Sequence, residues 1–280
     1  VNPTELDLPV KTDKRCRDVS SGRVGSEFVI PSQDGRILVP SSAAPKPGTL
    51  AEPAPAFTLR GAKGLLRRDG RILWRMSDDV AAVLRDDGVL LALYVDGQAV
   101  ARNVRAVMVS SPNWKDFAYA GARLAAHTDS ALTFTGRRTE KESAADYRLT
   151  VKWSDGALQF DYEFTAATDL EIHAFRHQVA LPVSVFSGGK ATAGAKTIGL
   201  PGDAPRGGPF VRSAKRVALA SADGLTHLEA ASSGAMGLHD ERVYGADAFL
   251  LTQSPIRGTV KAGTKWRFDL KLRPAGTAGR

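Results

Sequence analysis

Glu171, His173, Phe175 and His177 alternate within the run EIHAFRHQVALPV. In an extended strand, alternate side chains share one face and stand ~7 Å apart. Glu171 and His173 can therefore share a ligand or a proton. His173 and His177, ~13 Å apart, cannot chelate one ion directly. Imidazole titrates near neutrality, which suits general acid or base work. Glu171, His173 and His177 are thus candidate catalytic residues. The same spacing also suits histidines that merely hydrogen-bond on a sheet face. Arg176 has the opposite parity and reads as a surface or salt-bridge residue.

Three further groups can bind a polar ligand. His239, Asp240 and Glu241 precede Arg242 in a segment read as a loop after Met236. Clustered polar groups on a loop bind hydroxyls or a cation through oxygen, although a solvated turn has the same composition. Trp114 and Tyr119, with Phe117, lie among Asn113, Lys115 and Asp116. Aromatic faces stack on the apolar faces of sugar rings, while amides and carboxylates take hydroxyls. The alternative is a loop that folds its rings onto the core. Arg206 stands before Gly207-Gly208 and near Arg212. A guanidinium clamps a carboxylate with two parallel bonds, or serves as an ordinary surface cation.

Complete signatures are missing. No G-x-S-x-G elbow, phosphate-binding loop, H-E-x-x-H pair or dinucleotide fingerprint occurs. No cofactor and no metal are therefore expected. Cys16 is the only cysteine, so neither an internal disulfide nor a thiolate cluster can form.

The elements that must carry these residues read as strands. Asp-Gly occurs at 34–35, 69–70, 87–88, 96–97, 155–156 and 223–224. That dipeptide suits the two positive-φ positions of a type I′ turn, whose twist matches paired strands. The flanks alternate: Tyr147, Leu149, Val151 and Trp153; then Leu158, Phe160, Tyr162 and Phe164; then Trp266, Phe268, Leu270 and Leu272. Lys265, Arg267, Asp269 and Lys271 fall opposite the last set. One face is buried and the other wet. Trp153 and Trp266 share their faces with apolar residues and read as core. Further strands are expected at 71–76, 89–95, 98–102, 104–110, 131–137, 170–179, 181–186, 216–220, 226–231 and 248–252. Residues 77–86 begin with a cap-like Ser-Asp pair but read better as a strand than as a short helix. About fifteen strands suit a large all-β antiparallel sandwich of two sheets packed face to face.

The organisation is a tail, small hairpin and Pro-rich connector over 1–56, a sandwich domain over 57–274, and a short tail at 275–280. Segments 111–122 and 199–213 read as irregular loops between strands. The formal charge of +8 favours anionic partners, although the basic residues are dispersed. No nucleic-acid motif is visible, so no nucleic-acid partner is expected. No apolar run approaches the ~20 residues of a membrane span. The chain opens at Val1 without a signal-like segment.

The hairpin YRLTVKWSDGALQFDYEF (147–164), the strand EIHAFRHQVALPV (171–183) and the ending VKAGTKWRFDLKL (260–272) resemble the large sandwich of galactose mutarotase-like proteins. The resemblance spans about residues 60–273. It implies a supersandwich fold and sugar chemistry, with His and Glu as acid–base partners on a concave sheet; no Glu here aligns with that role. The expected protein is carbohydrate-active, secreted or periplasmic, and acts on a polysaccharide or oligosaccharide, with an acidic chain favoured by charge. Lyase chemistry and glycoside hydrolysis both fit. A non-catalytic carbohydrate-binding module and a structural assembly protein are the alternatives.

Overall fold

The computed structural model describes residues 8–18, 24–30, 38–40, 63–68, 70–111, 115–202 and 204–275. The connector at 41–56, the Asp34-Gly35 turn, Trp114 and the last five residues lie outside them. Backbone contacts divide the chain into two units, Val1–Phe57 and Thr58–Arg280. In the first, β1 (Leu8–Asp18) pairs antiparallel with β2 (Val24–Ile30) and β3 (Leu38–Pro40).

The second unit carries the candidate residues. It begins with β4 (Gly64–Arg68), β5 (Arg71–Arg75), β6 (Val80–Arg85), β7 (Leu90–Val95) and β8 (Gln98–Ser110). Next come β9 (Ala118–Thr128), β10 (Ala131–Glu140), β11 (Ser143–Ser154), β12 (Ala157–Ala166) and β13 (Leu170–Pro182). A single helical turn, α1 (Val183–Phe186), leads to β14 (Lys190–Ala193), β15 (Lys196–Gly199) and β16 (Pro209–Ala220). The chain ends with β17 (His227–Asp240), a 3-10 turn at Glu241–Tyr244, β18 (Ala248–Val260) and β19 (Lys265–Ala275). Their main path of pairing is β4-β5-β6-β7-β8-β13-β18-β17-β19-β12-β11-β10-β9, in one sixteen-stranded antiparallel sheet.

Turn chemistry accounts for the hairpins. Asp96-Gly97 and Asp155-Gly156 both take positive φ at both positions, as a type I′ turn demands. At 87–88 only Gly88 does so, and a Cβ there would lie 2.6 Å from Leu149. Two expected boundaries dissolve. Residues 98–102 and 104–110 form one strand, bent where Asn103 takes φ 47°. Residues 170–182 form another, and 183–186 coil into α1 rather than continuing it.

The continuous sheet still makes two layers, because β17 changes partner. Its residues 227–231 pair with β19 and its residues 236–240 pair with β18. Bulged corners of this kind carry a strand from one layer to another. At the corner a Cβ on Gly234 would lie 2.2 Å from Gln253 Nε2, so a larger residue there would have to displace the Gln253 amide. We call β4–β8, β13 and β18 layer A, and β9–β12 with β19 layer B. The core lies between them. Phe164 stacks on Trp266 at 5.3 Å, Tyr162 on Phe268 at 4.7 Å, and Phe175 of layer A meets Phe268 edge-on at 5.2 Å.

Polar bonds also tie the layers. Trp74 Nε1 donates to Asp129 O at 3.1 Å, and Tyr147 Oη to Asp87 O at 2.9 Å. Arg138 is fully buried on β10. It donates to Phe117 O at 2.8 Å, Ala106 O at 2.7 Å and Asp116 Oδ1 at 2.8 Å, and sits 3.9 Å over the Tyr119 ring. A desolvated guanidinium is tolerable only with such a full set of acceptors. Replacing it with a methionine of similar length strands two carbonyls and a carboxylate. The Arg138→Met variant should lose about 3 kcal/mol of stability, read as a lower urea midpoint at unchanged slope.

Candidate functional site

The strand that carries three candidates does not keep strict alternation. On β13, Ile172 pairs with Ser110 and Ala174 with Val109, so His173 is an extra residue in a bulge against β8. The bulge reverses parity. Before it, Leu170 and Ile172 face the core; after it, Phe175, His177, Val179 and Leu181 do. The expected common face of Glu171, His173 and His177 is therefore corrected. Glu171 is exposed, His173 is half-buried in the bulge, and His177 points into the core.

His177 is buried among aromatic rings, 5.0 Å from Tyr162, 5.3 Å from Phe268 and 5.9 Å from Phe160. Neither ring nitrogen has a hydrogen-bond partner. Burial pushes its pKa down to about 3, so it is neutral at physiological pH. It fills core space and has no route to a substrate. Its register partner Gln253 is also buried, with Oε1 unpaired.

The same parity reversal turns Arg176 and Gln178 to the outward face of layer A. Register places Arg105 of β8, Gln178 of β13 and Thr252 of β18 in one row. Val107 pairs with Arg176 in the next row, and Arg102, Ala180, Leu250 and His239 form the row on the other side. Val107, Leu250 and Gln178 are only 4%, 6% and 7% exposed, yet none belongs to the core cluster between the layers. Arg105 and Arg176 are diagonal neighbours, about 7 to 8 Å apart at the backbone. The Nε of each is buried without an acceptor. Arg105 reaches Asp116 only at 3.4 Å.

At the edge of this face the His239–Glu241 stretch divides. His239 Nε2 lies 2.5 Å from Glu241 Oε1, and both side chains are partly open to solvent. Asp240 has the opposite parity and is buried. Arg242 grips it through Nε at 2.9 Å and Nη2 at 2.8 Å, and Arg206 N donates to it at 3.0 Å. Burial alone would raise the Asp240 pKa, but these donors outweigh it and hold the group below the usual carboxylate range. Arg242 also bonds Gly202 O at 2.5 Å and Pro201 O at 3.3 Å. Asp240 and Arg242 thus latch the loop before β16. The Arg206 guanidinium lies exposed, 5.8 Å from the Phe210 ring. The structure brings Arg206, His239, Asp240 and Glu241 together, with Asp240 holding the loop rather than meeting ligand.

Tyr119 was expected on a stacking loop. It lies instead on β9, packed edge-on against Tyr147 at 5.7 Å, beneath Arg138, with its hydroxyl 3.3 Å from Ala106 O. Burial raises its pKa. Phe117 is core, as is Trp266, while Trp153 is half-buried against the core. Among the described residues no group of three or more His, Cys, Asp or Glu side chains is placed to hold a metal. Sequence reading missed Arg105, Gln178 and Thr252, and set Arg176 aside. Their signal was the strand pairing itself, which no single segment displays.

The sequence matches no family model and no curated protein. Solved structures do match. A protein assigned as an aldose 1-epimerase from Klebsiella pneumoniae is 9% identical, covers 79% of this chain and 83% of its own, and superposes with a TM-score of 0.52. The 4-alpha-glucanotransferase of Thermococcus litoralis is 9% identical, covers 77% of this chain but 40% of its own, and gives 0.50. A galactose mutarotase-like protein from Lactobacillus casei is 14% identical, covers 74% of this chain and all of its own, and gives 0.49. The chain shares the antiparallel fold of the Klebsiella and Thermococcus proteins.

The buried imidazole makes stability depend on pH with a definite sign. The unfolded chain binds a proton at His177 below its ordinary pKa of 6.5, whereas the folded chain resists until about 3. Stability is therefore full above pH 6.5 and falls as pH drops toward 3. From pH 6.5 to 5 the loss from this group should be about 2 kcal/mol, at 1.36 kcal/mol per unit. Denaturant midpoints at the two pH values should show this loss, and His177→Leu should remove most of it.

Proposed function

We propose that the outward face of layer A binds an acidic polysaccharide or oligosaccharide, with Arg105 and Arg176 taking a carboxylate of the chain. One observation carries this reading: two neighbouring guanidinium groups have a buried Nε with no acceptor, beside the buried Gln178. An unpaired buried donor costs about 1 to 3 kcal/mol, and an incoming anion recovers it through charge-assisted bonds. The amide of Gln178 and the hydroxyl of Thr252 suit sugar hydroxyls. The carbohydrate-active proteins that share the fold support a sugar ligand. An exported location fits such a ligand.

His239 and Glu241 form the acid–base pair of this reading. An imidazole hydrogen-bonded to a carboxylate is an oriented proton acceptor. Further along the bound chain, Arg206 stands beside the His239–Glu241 pair and would neutralise the carboxylate of the uronate being cut, which acidifies its C5 proton. His239 would take that proton, the C4–C5 double bond forms as the C4–O4 bond breaks, and the leaving oxygen takes a proton from water. Hydrolysis is less well supported. It needs two carboxylates flanking one bond, whereas Asp116 and Asp240 are engaged by arginines.

The test is calorimetry with uronate and neutral oligosaccharides, alongside absorbance of unsaturated uronate. Arg176→Gln should weaken uronate binding tenfold or more and leave any neutral binding unchanged, as expected for one lost charge-assisted bond. His239→Ala should abolish the unsaturated product with little change in affinity. Binding without product would instead support a non-catalytic module. An Arg176→Gln protein that binds uronate as wild type does would end the proposal.

A further inference from the structure

The outward face of layer B carries a second charged surface, remote from the rows just described. Register aligns Arg123, Thr135, Arg148, Glu163 and Arg267 in one row across β9, β10, β11, β12 and β19. Strands lie about 4.8 Å apart, so arginines recur about every 10 Å along this row. Arg123 and Arg148 are exposed and form no ion pair among the described residues. Arg267 pairs with Glu163 at 2.8 Å. At one end the row enters an open groove of about 440 Å³ lined by Gly121, Arg123, Thr135, Gly136, Arg137 and Asp146. Arg137 and Asp146 close on each other there through two bonds, at 2.6 and 3.1 Å. The groove thus has a neutralised wall and one free cation, Arg123.

We propose that this row is a docking track for a linear polyanionic glycan, one bearing a sulfate or carboxylate on each disaccharide. Two strand spacings are about the length of a disaccharide, so successive anions can meet Arg123 and Arg148 in turn, with Arg267, held by Glu163, at the far end of the row. Thr135 lies between the first two and offers a hydroxyl to the sugar. On β19 the row is flanked by Lys265 on one side and by Asp269, opposite Asp161, on the other, with Lys271 beyond. Two other polyanions fit worse. The described outward positions between the charges are Thr133, Thr150, Gln159 and Thr165, with no aromatic ring on which a nucleic-acid base can stack. Nor is there an apolar strip to enter a lipid surface. The track lies on a different layer from the site under Proposed function and does not rest on it.

The experiment uses the full chain carrying Arg176→Gln, which disables the layer A site and isolates layer B. Fluorescence anisotropy is measured against labelled sulfated, polyuronate and neutral oligosaccharides of equal length, over a range of salt. Binding to at least one of the charged chains, and not to the neutral one, is expected. The sulfated and polyuronate arms identify which anion is preferred. Adding Arg123→Ser and Arg148→Ser should lower that affinity about tenfold and flatten its salt dependence, since two charge-assisted contacts and their released counterions are lost. Arg148→Lys should keep the salt dependence while losing affinity, because an ammonium cannot make the paired contact. Unchanged binding in the double-serine protein would overturn the proposal. So would equally tight binding of a single-stranded oligonucleotide of the same charge, which would mean that the face reads charge alone.

Discussion

Everything in the sandwich depends on how the aromatic rings of β12 and β19 meet β13. Offset-stacked and edge-to-face rings each contribute about 0.5 to 1.5 kcal/mol beyond the area they bury. Their geometric effect is as important as their energy. Phe164 and Tyr162 stack on Trp266 and Phe268, and so fix two strands of layer B in one register. Phe175 and His177 then insert edge-on from layer A. That insertion decides which residues of β13 are left to face outward. Arg176 and Gln178 reach the outer surface because their neighbours are needed inside. His177 serves this packing as an aromatic ring, kept neutral by its burial.

Charge is handled differently in the two layers. Buried guanidinium groups in this fold divide into those with full acceptor sets and those without. Arg138 has its carbonyls, its carboxylate and a ring face. Arg242 has Asp240 and the carbonyls of the loop before β16. Both act as staples, holding irregular chain against strands where no ladder of backbone bonds can do so. Arg105 and Arg176 are left incomplete on the face that the core does not use. The contrast separates structural arginine from arginine available to a ligand more sharply than exposure alone does.

The strand content was legible in the sequence because its signals are local. Asp-Gly turns and period-two alternation need only a few residues, and β11, β12 and β19 bury the faces read for them. The candidate site was harder to read because its geometry is not local. His239 and Glu241 were legible as a polar stretch, but the opposed orientation of Asp240 follows from its pairing with Phe249. Tyr119 reads as a loop aromatic until β9 is paired with β10, which turns it toward Arg138. Arg105 and Gln178 are more than seventy positions apart and become neighbours only through the β8–β13 register. His177 was misread because one residue of bulge intervenes between it and Glu171.

That bulge has an implication for how this fold can change over time. His173 is the extra residue that β13 carries where its pairing with β8 first slips. That position cannot be removed. Without it, the run from Phe175 onward would present its arginine and glutamine to the aromatic rings and its phenylalanine to the outer face. The length of β13 is therefore as constrained in descendants of this chain as its buried residues are, and chemistry on one surface is inherited together with packing on the other.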